Sequence, residues 1–202
     1  MKLIIIRHGE SEADILKVHE GRADFSLTNK EKQQAKLLSK WIASNEEFDV
    51  ILSSPLKRAK ETAAFIRDET GKRIVLVEDL MEWDNGLLAG LPREEAERKY
   101  PLPKDGRKPH HTNANTESMI NFRARAETFL SRLKEEYPKD AEICMVSHGG
   151  MINMLYRSLL NLPMMTEHSI SCGDTSIHKF MLSDGKCHIE YINRLGHLEE
   201  LE

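Results

Sequence analysis

Short apolar runs alternate along the chain with longer stretches in which apolar residues recur every three or four positions. The short runs predict strands, at residues 3–6, 48–52, 73–77, 142–147, 176–182 and 188–193. The helical spacing predicts helices, beginning near residue 28, at residue 55, at residue 92, at residue 117 and after residue 148. This order of elements predicts a domain of alternating strands and helices around a parallel sheet.

Two segments interrupt the alternation. Residues 11–26 show no clear period, which predicts a loop. Residues 101–115 contain three prolines and two adjacent histidines, which is typical of an exposed loop and makes the segment a candidate lid or specificity element. At the start of the second predicted helix we expect Ser54 to be the N-cap and Pro55 to lie in the first turn.

The composition is that of an ordinary soluble protein. The chain has 202 residues, of which 40% are hydrophobic and 31% charged, enough for one domain over residues 1–202 with a sizeable core. A formal net charge of −4 argues against a nucleic-acid or acidic-membrane partner. The three cysteines lack metal-ligand spacing, and no stretch is long enough to span a membrane. We expect a cytoplasmic protein with reduced thiols.

Polar residues follow three of the predicted strands at their carboxyl ends. The first strand runs into Arg7 and His8, the helix after the second strand carries Arg58, and the strand at 142–147 runs into His148. Each histidine taken alone would be a core residue by default. Because the carboxyl ends of parallel strands lie at one edge of a sheet, we expect all four side chains to meet there. Such a group of cations suits a phosphate dianion and phosphoryl transfer.

The order of the short motifs along the chain resembles that of the histidine phosphatase superfamily, the phosphoglycerate-mutase-like proteins. The motifs are RHGES at 7–11, GRADFSLT at 21–28, SSPLKRAKET at 53–62, LMEWDNGLLAG at 80–90, ES at 117–118 and SHGG at 147–150. The resemblance implies a three-layer α/β/α domain with a central, mostly parallel sheet.

The resemblance also implies roles for individual residues. His8 corresponds to the nucleophile that is transiently phosphorylated, and Glu82 to the group that protonates the leaving alkoxide and then activates water. Arg7, Arg58 and His148 correspond to groups that hold the phosphoryl oxygens. This scheme uses no metal and no cofactor, because arginine and histidine supply the positive charge.

The chain departs from the family pattern near this predicted site. Asp14 stands where an asparagine is usual, Glu20 where a glutamine is usual, and Glu31 where a glycine is usual. An ionised Asp14 would repel a phosphate, turn away, or pair with Arg22 or with a cation on the substrate. Asp14 and Arg22 are candidate phosphate-site residues. For Arg22 the alternative is that it is a solvated residue of the loop. Glu31 is expected to be structural.

These observations predict a metal-independent phosphomonoester hydrolase whose partner is a small-molecule phosphate monoester. A cofactor-dependent phosphoglycerate mutase is the alternative within enzymes, although mutases of this family are typically longer. A phosphate-binding interaction module with weak or no turnover is the alternative outside enzymes. The sequence leaves the physiological substrate and the oligomeric state open.

Overall fold

A computed structural model describes residues 1–201, and residue 202, the last of the predicted domain, lies outside the described residues. The strands are β1 (Lys2–Arg7), β2 (Val50–Ser53), β3 (Ile74–Leu76), β4 (Glu142–Ser147), β5 (Ile177–Ser183) and β6 (Lys186–Arg194). They form one six-stranded sheet in the order β3-β2-β4-β1-β5-β6. The four strands β3, β2, β4 and β1 run parallel, and β5 and β6 add an antiparallel hairpin beside β1. The sheet is therefore mostly parallel, as predicted.

The helices are α1 (Glu12–Leu16), α2 (Asn29–Asn45), α3 (Lys57–Thr70), α4 (Arg93–Lys99), α5 (Met119–Glu136) and α6 (Gly149–Leu159). Short 3₁₀ turns lie at Glu78–Leu80, Gly86–Leu88, Asn113–Asn115 and Gly196–Leu201. Helices α5 and α6 cover one face of the sheet, and α2 and α3 cover the other. The predicted α/β fold class is confirmed. None of the helices within residues 1–201 combines the length and the apolar character needed to span a bilayer.

The unbroken apolar run of β1 is explained by the two helical layers. Side chains along a strand alternate between the faces of the sheet. Leu3 and Ile5 join the core under α5 and α6, whereas Ile4 and Ile6 join the core under α2 and α3. All four side chains are fully buried. A strand at the centre of such a sheet needs apolar residues at every position, which is the pattern of β1.

The predicted loop at residues 11–26 was wrong in part, because it contains the five-residue helix α1. Ser11 is its N-cap, and its hydroxyl accepts a hydrogen bond from the Ala13 N–H. The Asp14 carboxylate in turn accepts a hydrogen bond from the Ser11 N–H, which completes a capping box. A helix of five residues makes fewer than two turns, so its apolar spacing does not repeat and periodicity could not show it.

The predicted start of the second long helix was two residues too early. Helix α3 begins at Lys57 with Leu56 as its N-cap. The Ser54 N–H still donates to the Val146 carbonyl of β4 at 3.0 Å, so the chain turns away from the sheet only after this residue. Gly71 ends the helix in the left-handed conformation.

Candidate active site

The register of the central strands brings three strand ends together. Strand β4 lies between β1 and β2, and Arg7 is paired with Ser147 at the end of β1 and β4. His8 and His148 therefore leave the sheet side by side, and their ring centroids lie 4.8 Å apart. Ser54 follows β2, and its Oγ lies 2.8 Å from His148 Nε2. These contacts place the predicted histidines at one edge of the sheet.

His8 is held as a neutral imidazole with one defined tautomer. Its Nδ1 lies 2.6 Å from the Gly9 carbonyl oxygen, and because a carbonyl only accepts, Nδ1 carries the proton. Its Nε2 then has a lone pair and accepts a hydrogen bond from Arg58 Nε at 3.1 Å. Burial lowers the pKa of His8 well below 6.5, and the charges of Arg58 and Arg7 lower it further. The arrangement presents an uncharged nucleophilic nitrogen beside a guanidinium.

Arg58 is a fully buried cation. Its Nη1 donates to the Ala23 carbonyl at 3.1 Å and its Nη2 to the Gly21 carbonyl at 2.8 Å. Its Nε lies 3.2 Å from Glu20 Oε2 as well as facing His8. The backbone carbonyls of the GRADFSLT segment, residues 21–28, thus fix the guanidinium plane against the imidazole.

Arg7 provides a second guanidinium with a free donor. Its Nη1 donates to the Cys172 carbonyl at 2.5 Å, and its Nη2 forms an ion pair with Asp174 Oδ1 at 3.1 Å. Its Nε is buried and has no hydrogen-bond partner among residues 1–201. A buried donor without a partner is costly, and an anion bound at this edge of the sheet would satisfy it.

Glu82 is held at the amino end of α6. Its Oε1 accepts from the Trp83 N–H at 2.8 Å and its Oε2 from the Gly150 N–H at 2.9 Å. A Cβ added at Gly150 would lie 2.3 Å from Glu82 Oε1. A Cβ added at Gly149 would meet Arg7 atoms only at 3.7 Å or more, an ordinary contact. A Cβ at the second glycine of the SHGG motif would therefore displace the Glu82 carboxylate from its observed position.

His148 is also buried and uncharged. Burial lowers its pKa well below 6.5, with further lowering by His8 and by the charges of Arg58 and Arg7. Its Nδ1 is buried without a hydrogen-bond partner among the described residues. Together with the N-terminus of α6, for which His148 is the N-cap, the ring adds a polar contact and positive potential beside His8.

The remaining two candidates, Arg22 and Asp14, have different partners. Arg22 lies beside Glu82, because its Nε donates to the Glu82 carbonyl oxygen at 3.3 Å and its Nη1 lies 3.6 Å from Asp84 Oδ2. Asp14 is exposed and its carboxylate caps α1. Of the two acids predicted near the pocket, Glu20 forms an ion pair with Arg58, whereas Asp14 is used by the helix cap.

A structural arginine behind the site was missed in the sequence. Arg125 of α5 donates from Nη1 to the Asp79 and Met81 carbonyls at 2.8 and 2.7 Å, and from Nη2 to the Glu82 carbonyl at 3.2 Å. It also forms two hydrogen bonds with the Glu117 carboxylate. These contacts fix the loop that carries Glu82. The ES motif at 117–118 was a signal, but nothing in the sequence links it to Arg125.

Glu31, expected to be structural, packs behind the first motif. It is buried, and a Cβ added at Gly9 would lie 2.5 Å from its Oε2. Burial, followed by the charge of Asp174, raises its pKa to about 7. The Glu31 side chain therefore packs directly against Gly9 and leaves no room for a Cβ there.

The charge of the site comes from the two arginines, since both imidazoles are neutral. Residues 1–201 contain no group of three or more His, Cys, Asp or Glu side chains that could hold a metal ion. Around the carboxyl ends of β1 and β4 the arrangement offers two imidazoles, the Glu82 carboxylate and two guanidiniums. Each guanidinium has a carboxylate partner, Asp174 for Arg7 and Glu20 for Arg58. The arrangement can bind a dianion and direct a neutral nitrogen at it.

Known proteins share both the sequence pattern and the fold. A family model described as the histidine phosphatase superfamily (branch 1) matches residues 3–195. The chain is 31% identical over 205 residues to phosphoserine phosphatase 1 of Hydrogenobacter thermophilus, with 99% of this chain and 95% of that protein covered. It is 30% identical over 205 residues to phosphoglycerate mutase-like protein 4 of Arabidopsis thaliana, covering 98% of this chain and 87% of that protein.

A solved structure gives the same result. A phosphoserine phosphatase mutant from Entamoeba histolytica, in complex with phosphoserine, superposes with a TM-score of 0.79 at 30% identity. The superposition covers 98% of both chains. The similarity therefore extends over the whole sheet and the elements that carry the candidate site.

The tautomer of His8 can be tested by NMR. Long-range ¹H–¹⁵N correlation spectra should show His8 as the neutral Nδ1–H tautomer throughout the pH range around 6.5 in which an ordinary histidine titrates. The unfolded chain protonates in that range and the folded His8 does not, so this residue makes the fold less stable as pH falls below 6.5. The same protein in urea is the control. A His8 that titrates at or above 6.5 in the folded protein would contradict the assignment.

Proposed function

Because the chain belongs to the histidine phosphatase superfamily, we propose that it is a phosphomonoesterase that transfers a phosphoryl group from a small ester first to His8 Nε2 and then to water. The observation that carries the proposal is the state of His8, whose Nδ1 is bound to the Gly9 carbonyl and whose Nε2 faces Arg58. Phosphatases recur among the similar proteins, which supports the same reaction class.

Binding of the phosphate group is assigned to the cations at the sheet edge. The unpartnered Nε of Arg7 and the Nε of Arg58 supply donors, and the N-terminus of α6 supplies further positive potential. One guanidinium about 4 Å from a phosphate charge contributes about 4 kcal/mol at an effective dielectric constant near 20. Two such groups carry a charge equal and opposite to that of a dianion, and in the free protein Asp174 and Glu20 pair with them. His148 adds a ring nitrogen beside the same oxygens.

The attack uses the lone pair of His8 Nε2. As the N–P bond forms and the P–O bond of the ester breaks, positive charge develops on the imidazole. The hydrogen bond from Nδ1 to the Gly9 carbonyl stabilises that charge, because a carbonyl dipole directed at an imidazolium N–H strengthens as the ring becomes cationic. The neutral ring of the free protein therefore becomes a phosphoimidazolium held by its own backbone.

Glu82 is assigned to the proton transfers. It gives a proton to the leaving alkoxide, and its carboxylate then takes a proton from the water that attacks the phosphohistidine, which restores His8 and releases inorganic phosphate. The Trp83 and Gly150 N–H groups hold both carboxylate oxygens, so the group is positioned before the substrate arrives. Arg22, bound to the Glu82 carbonyl, is placed to contact the alcohol portion of the substrate.

Phosphate release from a panel of monoesters tests this function. The panel contains phosphoserine and 3-phosphoglycerate, and the protein is treated with EDTA. We expect wild type to release phosphate and His8→Ala to lose about 10³-fold or more in kcat, because the covalent route is lost. His8→Ala that remains active would contradict the proposal. Isomerisation of 3-phosphoglycerate without net release would indicate the mutase, and phosphate binding without turnover would indicate the interaction module.

The pair of glycines after His148 gives a sharper test of Glu82. Gly150→Ala should lower kcat by about 10²-fold, the lower range for loss of a general acid–base, because its Cβ forces the Glu82 carboxylate out of position. Gly149→Ala is the matched control and should change kcat little. Thermal unfolding of both variants checks that the fold is kept. Equal losses of kcat in the two variants would contradict the role of Glu82.

A further inference from the structure

A carboxylate already lies against Arg58, one of the two cations assigned to the phosphate group. Glu20 Oε2 lies 3.2 Å from Arg58 Nε, and the same Nε lies 3.1 Å from His8 Nε2. The Nη atoms of Arg58 donate to the Ala23 and Gly21 carbonyls. The Nε–H is therefore the donor that Arg58 directs at the nucleophile, while Glu20 pairs with the charge of the same guanidinium.

A phosphate group bound at His8 brings a second anion to this cation. The ion pair of Glu20 Oε2 with Arg58 Nε and the assigned phosphate contact both use the Arg58 guanidinium. Two anions this close to one cation repel each other, and the repulsion falls when one of them takes up a proton.

We propose that Glu20 determines phosphate affinity through proton uptake: its carboxylate pairs with Arg58 in the free protein, and it becomes protonated when a phosphate group binds. The inference rests on the proposed function, since it concerns the same site. The proton comes from solvent, and the protonated carboxyl group donates its O–H to a phosphoryl oxygen. No other bond changes in this step. Phosphate affinity should therefore rise as pH falls.

The groups around Glu20 support this direction. Its other oxygen, Oε1, accepts a hydrogen bond from the Ser11 hydroxyl. Burial raises the pKa of Glu20 above 4.5, and the negative charges of Asp14 on α1 and of Glu82 act in the same direction. Arg58 of α3 and the hydrogen bond from Ser11 oppose them. A bound phosphate adds a further negative charge, so it raises the same pKa again.

The usual residue of the family pattern at this position, glutamine, provides the matched variant. Glu20→Gln has the same size, keeps an acceptor for Arg58 and supplies an N–H donor for phosphate without needing a proton. Calorimetric binding of inorganic phosphate should be about tenfold tighter in Glu20→Gln than in wild type at about pH 8, and the difference should shrink toward about pH 5. At each pH the free phosphate is protonated to the same extent in both experiments, so the ratio of the two affinities does not depend on the titration of free phosphate.

Proton uptake gives an independent readout. Binding measured in buffers of different ionisation enthalpy should show proton uptake in wild type that exceeds the uptake in Glu20→Gln. Glu12→Gln, which removes an exposed carboxylate on α1, is the control and should match wild type. Circular dichroism of each variant checks the fold. Equal affinities of Glu20→Gln and wild type at about pH 8 would overturn the proposal.

A different result would assign Glu20 another role. Weaker phosphate binding by Glu20→Gln at every pH would overturn the proposal and make Glu20 a positioning residue for Arg58. Because these experiments measure binding and not turnover, they are separate from the test of the phosphohistidine route. His8→Ala that still releases phosphate would reject that route while leaving the coupling between Glu20 and phosphate measurable.

Discussion

The hydrogen bond from His8 Nδ1 to the Gly9 carbonyl is the contact on which the site depends. It fixes the tautomer, and so it decides that Nε2 carries the lone pair that faces Arg58. Burial and two neighbouring guanidiniums keep the ring uncharged, so in the proposed mechanism His8 does not need to lose a proton before it attacks. The bond requires the backbone after β1 to turn directly under the ring, with Glu31 packed behind Gly9. Strand register, loop geometry and protonation state are thus parts of one arrangement.

The second constraint is the cost of a buried cation. Arg58 has no exposed surface, and burying an unpaired charge is expensive. Two backbone carbonyls and the Glu20 carboxylate compensate it in the free protein. A phosphate group can provide the same compensation, which is why the carboxylate and the substrate compete. Arg7 is compensated in the same way by Asp174. The cost of burying this charge is smaller, because that pair is partly open to water.

The fold and the centre of the site could be predicted from the sequence, since both follow from the order of strands. Parallel pairing of β1 with β4 makes His8 and His148 neighbours, and the apolar runs locate those strands. The five-residue helix α1 was too short to show a period. The role of Arg125 was not visible because its partners are backbone carbonyls of a distant loop. Asp14 and Glu20 are both acidic residues near the predicted site, and the sequence does not distinguish their roles. The structure does, because Asp14 caps α1 and Glu20 pairs with Arg58.

The central claim is that His8 Nε2 forms a bond to phosphorus, and trapping of the phosphoenzyme tests it most directly. The Glu82→Gln variant would be mixed with a radiolabelled aryl phosphate, whose leaving group needs no proton from Glu82, so that the step that uses water is the one slowed. The mixture would be quenched in alkali and digested for mass spectrometry. Phosphohistidine survives alkali, so the account predicts the label on the peptide that contains His8. Label on any other residue would contradict the account. So would turnover by wild type with no labelled protein in either form.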